Sequence, residues 1–508
     1  MAADLRNGEV LHYTVIRPTN ALERMFYLEH RLGAHSNLLF SAHYTGHSEG
    51  LTKEAVYAAV RSVIEAWPEL ALIGVPEAPK GGRSHVLLSA ALHEIDLETC
   101  VEFRDDDEPV CNAGVVEQLH NEWPWTDQDL TPRQPWWKVV VFGRREVAFV
   151  AHHLISDGRF SQVFHKEFLA ALNSTPHPIK EPSCIVKIDP ARTKLSKEML
   201  EFWTCSISGV WVAHNLLILL IIRLFFGNKL LFSDVPKIKA PRPKFVLDEA
   251  APEDRVKTRI ASMRIPHAQI HRILAACRAH ETTFTPMLIV TLLCTVATDF
   301  YPDAKVGLTC CGLDQRRLFP GDGGKGRIMN GGGTSRKESW LNNYRGVFRP
   351  RLDEQGDSKA YQVDVDGAWK LVTDYRASVN KVFEGKNPPL TVLRQANNGV
   401  SSDLEGELKS VFPILGLCLN NMLNVSNVGV FKNDGNGPWR IDDTSFSSAA
   451  VHDGLSYEVA VHVSGVEGGD TVVNASYQDG QMSEEVIYGI LNGALDRMEA
   501  LVNAETSA

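Results

Sequence analysis

Apolar residues along this chain recur at two periods, and the two together forecast its elements. Val56, Ala59, Val60, Val63, Ile64 and Trp67 fall on one face of a 3.6-residue period, with Thr52 placed to cap the first turn and Pro68 to end the last. Residues 20–32, 159–172, 266–280 and 483–501 show the same spacing and predict further amphipathic helices, the last capped by Ser483 with Glu484 and Glu485 in its first turn. Residues 285–300 are apolar on every side, which predicts a buried helix. Short β-branched or aromatic runs predict strands at 37–44, 84–90, 135–142, 147–153, 306–313, 422–431, 457–466 and 471–478. Helices and strands alternate irregularly, so the expected class is α/β with mixed (α+β) sheets, and no fixed-period repeat is present. A length of 508 residues is enough for two or three units of ordinary size.

Two stretches stand outside this pattern. Residues 322–336 are glycine-rich and predict a loop. Gly324-Lys325 lacks the spacing of a phosphate-binding P-loop, so the functional reading left to the segment is contact of Lys325 or Arg327 with an anionic cosubstrate. Residues 207–226 are nearly long enough to span a bilayer, but His214, Asn215 and Arg223 interrupt them. Three readings compete: a buried linker helix, a helix lying in one leaflet, and a full span. A span would place the two halves of the chain on opposite sides of the membrane, which is incompatible with a site they share.

Charge narrows the partners. A formal net charge of −10 argues against nucleic acid, whose phosphates require a basic surface. The nine cysteines include no C-x-x-C pair, and no apolar leader follows Met1, which together predict reduced thiols in a cytoplasmic protein.

The chemistry concentrates in Ala151-His152-His153-Leu154-Ile155-Ser156-Asp157-Gly158, at the end of one predicted strand and the start of one predicted helix. In an extended segment His152 and His153 point to opposite faces, so one addresses a site and the other packs. The same geometry argues against a metal, because paired ligands need to face one way. An imidazole held in one tautomer is a general base. Asp157 is either the group that orients it or the partner of a distant arginine, and Gly158 fits a position of close approach.

Residues 147–173 resemble the fungal alcohol O-acetyltransferase family, within the wider group of CoA-dependent acyltransferases that includes chloramphenicol acetyltransferase and the condensation domains of peptide synthetases. The shared H-H-x-x-x-D-G mark is present in full at His152, His153, Asp157 and Gly158. Residues 20–44, 51–70, 135–141, 281–298, 312–320 (GLDQRRLFP) and 424–431 (NVSNVGVF) carry further similarity, over about residues 15–502. The D-F-G-W-G signature of the plant branch is absent.

The resemblance implies a two-lobed, chloramphenicol acetyltransferase-like fold with a tunnel between the lobes. Residues 1–200 would form the first lobe, 201–245 an apolar insert and 246–508 the second lobe. It implies His153 as the base and direct transfer from acetyl-CoA as cosubstrate to an alcohol, with no bound cofactor; the apolar insert at 207–226 favours a small lipophilic acceptor. It makes Asp157 structural, salt-bridged to Arg316. Ser426 and Asn427 become candidates for binding the oxyanion or the substrate. The expected protein is a monomer, peripherally attached through 207–226 to the cytoplasmic face of the endoplasmic reticulum or to lipid droplets. An N-acyltransferase, a carrier-protein-dependent condensation enzyme and an inactive module of the same fold remain as alternatives.

Overall fold

The computed structural model describes residues 5–6, 9–10, 12–78, 84–105, 112–126, 131–174, 183–193, 209–238, 250–318, 329–352, 358–384, 403–409, 420–434, 437–451 and 457–506. Two mixed sheets organise it. In chain order their strands are β1 (Leu38–Thr45), β2 (Val101–Arg104), β3 (Trp137–Phe142), β4 (Glu146–Ala151), β5 (Thr258–Ile265), β6 (Val306–Asp314), β7 (Gly332–Trp340), β8 (Met422–Phe431), β9 (Arg440–Ser448), β10 (Tyr457–Val466) and β11 (Thr471–Gln478). The helices that matter for the site are α1 (Ala21–Arg31), α2 (Lys53–Ala66), α3 (Gly158–Ser174), α4 (Gly209–Phe226), α5 (Phe284–Thr295) and α6 (Glu484–Thr506).

The first sheet has the order β9-β1-β4-β3-β2. The predicted apolar runs sit at its centre, where β4 is flanked on both sides by antiparallel partners and is buried throughout. Helix α3 lays Phe160, Phe164 and Phe168 on this layer, with Phe164 stacked on Phe149 at 4.1 Å. Thr52 caps α2, its hydroxyl accepting from the Ala55 amide. Asn20 and Glu23 close a reciprocal capping box on α1.

The second sheet has the order β5-β11-β10-β8-β6-β7, parallel where β8 meets β10 and β6 and antiparallel elsewhere. Its two faces differ. Leu423, Val425, Val459, Val461, Val463, Val473 and Ala475 point to one side and share a core with α5 and α6. The intervening residues Asn424, Ser426, His462, Ser464, Asn474 and Ser476 point to the other side, toward the first sheet, by strict alternation of side chains. A buried sheet face this polar is held by specific hydrogen bonds. Asn474 Nδ2 donates to Ser445 Oγ (2.8 Å) and to the Phe446 carbonyl (2.9 Å), and Ser464 Oγ donates to the Thr444 carbonyl (3.2 Å).

Three expectations need correction. The sequence boundaries assign residues 246–508 to the second lobe, but β9 leaves it and pairs with β1 as an edge strand of the first sheet. A short helix at 404–409 also docks on the first lobe, through the buried Arg24–Glu407 ion pair (2.5 Å) and the His85–Glu405 contact (2.7 Å). The predicted loop at 322–336 ends early, because Gly332 onward forms β7 against β6. The buried-linker reading of 207–226 does not hold for its described part, 209–226. Among its described side chains, helix α4 buries Leu219 and Ile222, while Val210, Leu217, Leu220, Leu224 and Phe225 are exposed. Arg223 interrupts the apolar run because it turns inward and donates to Asn421 Oδ1 and the Asn420 carbonyl, both at 2.6 Å. Among the described residues no single helix is long and apolar enough to cross a membrane.

Candidate active site

Strand β4 ends at Ala151, one residue short of the histidine pair, so both histidines lie in the turn that leads into α3. The turn separates them as completely as a strand would. His152 is buried against Trp136 (ring centroids 4.6 Å apart) and His30 (4.8 Å), and its Nδ1 accepts from the Leu154 amide at 2.9 Å. It is a packing residue, and burial holds its pKa well below the ordinary value. His153 turns the other way and is half-buried. Phe26 of α1 stacks flat on its ring, 3.8 Å away at an 8° interplanar angle, and His35 lies 5.8 Å away on another side. Asn330 Nδ2 donates to the His153 carbonyl at 2.6 Å, so the second half of the chain also fixes this turn.

His153 Nδ1 is buried and has no hydrogen-bond partner among the described residues, which leaves Nε2 as the nitrogen able to meet a substrate. Burial lowers the pKa of this imidazole; its own carbonyl, the Asp157 carboxylate and the Ser156 carbonyl oppose the shift. The carbonyls favour a proton on the ring, and burial favours the neutral form. An uncharged ring with an unprotonated, accessible nitrogen is the state a general base needs.

Asp157 does not orient that ring. Its Oδ1 accepts from the Phe160 amide (2.8 Å) as the cap of α3, and from Arg316 Nη2 (3.0 Å). Its Oδ2 accepts from the Gly331 amide (2.7 Å) and lies 2.9 Å from Arg316 Nη2. Arg316 also donates to Asp314 Oδ1 (3.1 Å) and the Met329 carbonyl (3.0 Å). The structure therefore brings Asp157 and Arg316 together as a buried pair that ties the histidine turn to the second lobe.

Gly158 is required by space. A Cβ there would lie 2.4 Å from Phe446 Cζ and 2.7 Å from Val428 Cγ1, side chains of β9 and β8 that close on the start of α3. Gly158→Ala is expected to cost about 1–3 kcal/mol through overpacking, read as a lower thermal midpoint.

Ser426 and Asn427 part company. Ser426 lies on the polar face of β8, is half-buried and packs near Gly312. Asn427 points to the opposite face, where Nδ2 donates to Thr285 Oγ1 of α5 (3.0 Å) and Oδ1 accepts from the Gly429 amide (2.8 Å). It fastens a β-bulge whose Gly429 has φ +84°, and is not aimed at the space between the lobes. Lys325 and Arg327 lie outside the described residues.

A group of histidines on the seam escaped the sequence reading. His35 Nε2 meets Ser448 Oγ at 2.8 Å, and His120 bridges Asn37 Oδ1 (2.7 Å) and Ser447 Oγ (2.6 Å). His462 faces them from β10, with the Phe446 ring edge-on to it at 5.3 Å. Burial lowers all three, with His153 acting on His35 and His462. The available signal was the alternation of Glu458, Ala460, His462 and Ser464 with Val459, Val461 and Val463: a strand whose second face is neither apolar nor exposed.

Residues 93–326 match the profile of the alcohol acetyltransferase family. The probable alcohol acetyltransferase FCK4 of Fusarium pseudograminearum is 23% identical, over 94% of this chain and 94% of that protein. Among solved structures, the TRI3 trichothecene 15-O-acetyltransferase of Fusarium sporotrichioides aligns over 96% of both chains with a TM-score of 0.67 and 12% identity. The condensation domain of the monacolin K polyketide synthase MokA aligns over 96% of this chain and 98% of its own, with a TM-score of 0.53 and 12% identity. Residues 93–326 are thus similar to the alcohol acetyltransferase family, and the chain has the chloramphenicol acetyltransferase-like fold found in acetyltransferases and condensation domains.

Proposed function

We propose that this protein is an O-acetyltransferase that moves an acetyl group from acetyl-CoA to a hydroxyl of a small lipophilic alcohol, with His153 as general base. The observation that carries the reading is the half-buried His153 ring between the lobes, uncharged by burial and stacked on Phe26. In the proposed step Nε2 takes the proton of the acceptor hydroxyl as its oxygen attacks the thioester carbon. The carbonyl electron pair moves onto oxygen. Collapse of this intermediate expels the CoA thiolate, which takes the proton back from His153. No acyl-enzyme forms, and CoA serves as cosubstrate. Mass spectrometry of the products made from acetyl-CoA with a panel of alcohols, sterols and amines tests the assignment. Acetyl esters are expected, and exclusive amide formation would overturn the hydroxyl specificity.

The proposed setting is a monomer at the cytoplasmic surface of the endoplasmic reticulum or of lipid droplets, held there by α4. What supports it is the width of the exposed apolar face of that helix, extended by Trp340, which is 55% exposed and contacts Phe226 edge-on. Each large apolar side chain contributes about 1.5–3 kcal/mol when fully buried. Replacing both Leu224 and Phe225 with Ser is expected to weaken binding to phospholipid vesicles more than tenfold in flotation, with turnover of a water-soluble acceptor unchanged. Equal flotation of variant and wild type would refute the attachment.

A further inference from the structure

We propose that His462 is a second catalytic imidazole: its N–H, with the Ser426 hydroxyl on the adjoining strand, receives the negative charge that develops on the thioester oxygen while His153 takes the acceptor proton. The inference rests on acetyl-CoA as the donor.

The geometry supplies each part. His462 and Ser426 are register partners on the parallel pair β8 and β10, so their side chains leave the sheet side by side on its polar face. Asn474, the partner of His462 on β11, is already engaged with β9 and clamps the sheet at this point. His462 is 2% exposed, and the edge-on Phe446 ring fixes its plane. It stands on the polar face that turns toward the first sheet, and it is electrostatically coupled to His153, His35 and His120 of the first lobe.

The tautomer follows from the surroundings. Burial pushes the pKa down to about 3, so the ring is neutral and carries one hydrogen. Nδ1 is buried with no partner among the described residues, and no backbone carbonyl draws a proton to this ring as the His153 and Ser156 carbonyls do at His153. The hydrogen therefore sits on Nε2, the nitrogen left to address a ligand. A neutral donor fixed in a water-poor site is suited to a developing oxyanion, because it needs no reorganisation as charge appears. Atoms and electrons balance as in the transfer above. His462 lends a hydrogen bond and keeps its proton.

The test uses acetyl-CoA labelled with 13C at the acetyl carbonyl, bound to the intact protein, with the carbonyl stretch read by difference infrared spectroscopy. In wild type the stretch is expected at lower frequency than in free acetyl-CoA. His462→Ala should return it toward the free value, and His462→Gln, which keeps an N–H in nearly the same place, should retain much of the shift. His153→Ala should leave it unchanged, so this result is separable from the base assignment. In turnover, His462→Ala should lower kcat about 10²–10³-fold with the KM for acetyl-CoA within about threefold, and His462→Gln should recover part of the loss. An identical stretch in wild type and His462→Ala overturns the proposal, as does a kcat within about threefold of wild type. Failure of wild type to bind acetyl-CoA overturns the donor and this inference together.

Discussion

His153→Ala is expected to fold normally and to lose acetyl transfer by about 10²–10⁴-fold, the contribution of a positioned general base. The fold should survive because the ring is half-buried and its Nδ1 has no partner among the described residues. His152→Ala should behave in the opposite way. It removes a ring packed between Trp136 and His30 and strips the Leu154 amide of its acceptor, which points to a loss of stability with smaller effects on turnover of the folded fraction. Circular dichroism melts beside kcat measurements separate the two. The wild-type pH profile adds a check. A base works unprotonated, and burial lowers the pKa of His153, so the acid limb of kcat/KM should fall below the ordinary histidine value near 6.5. A limb centred above that value, or a His153→Ala enzyme as fast as wild type, would remove the mechanism.

Asp157→Ala should unfold the site before it touches the chemistry. The carboxylate accepts from Arg316, the Gly331 amide and the Phe160 amide, and Arg316 has little solvent to turn to. Breaking a buried pair by deleting one partner costs about 3–5 kcal/mol. The expected result is a large drop in the urea midpoint, with activity falling in parallel. Arg316→Ala should show a similar loss. The double variant should cost less than the sum of the two, since neither charge is then stranded. Additive losses would mean that the two residues act independently, against the geometry.

How far the chain could be read in advance depended on what each segment packs against. Segments with one apolar face, such as α2 and α3, were visible because burial and periodicity coincide in them, and β4 was visible as a short apolar run buried on both faces. The histidine turn was visible because a motif marks it, and its two rings part as alternation requires even though the strand stops at Ala151. Strand β9 was invisible for a physical reason. Its sequence, RIDDTSFSS, is polar because Ser445 and Ser447 are bonded to Asn474 and His120, so no hydrophobic rhythm marks it. His462 was overlooked on the same ground. Asn427 was misjudged because its adjacency to Ser426 in sequence places it on the opposite face of β8.

The exchange of β9 into the first sheet has an outcome for how the enzyme can work. Eight residues from Leu38 to Thr45 are stitched to a segment more than 390 positions further along, and neighbouring bonds fasten that segment to the second sheet. Such a crossover acts as a rivet. Swinging the halves apart like jaws would break this pairing, so a mutant that weakens it is expected to loosen both sheets at once. Fragments cut near position 245 would each carry an unfinished half and should recover activity only when mixed.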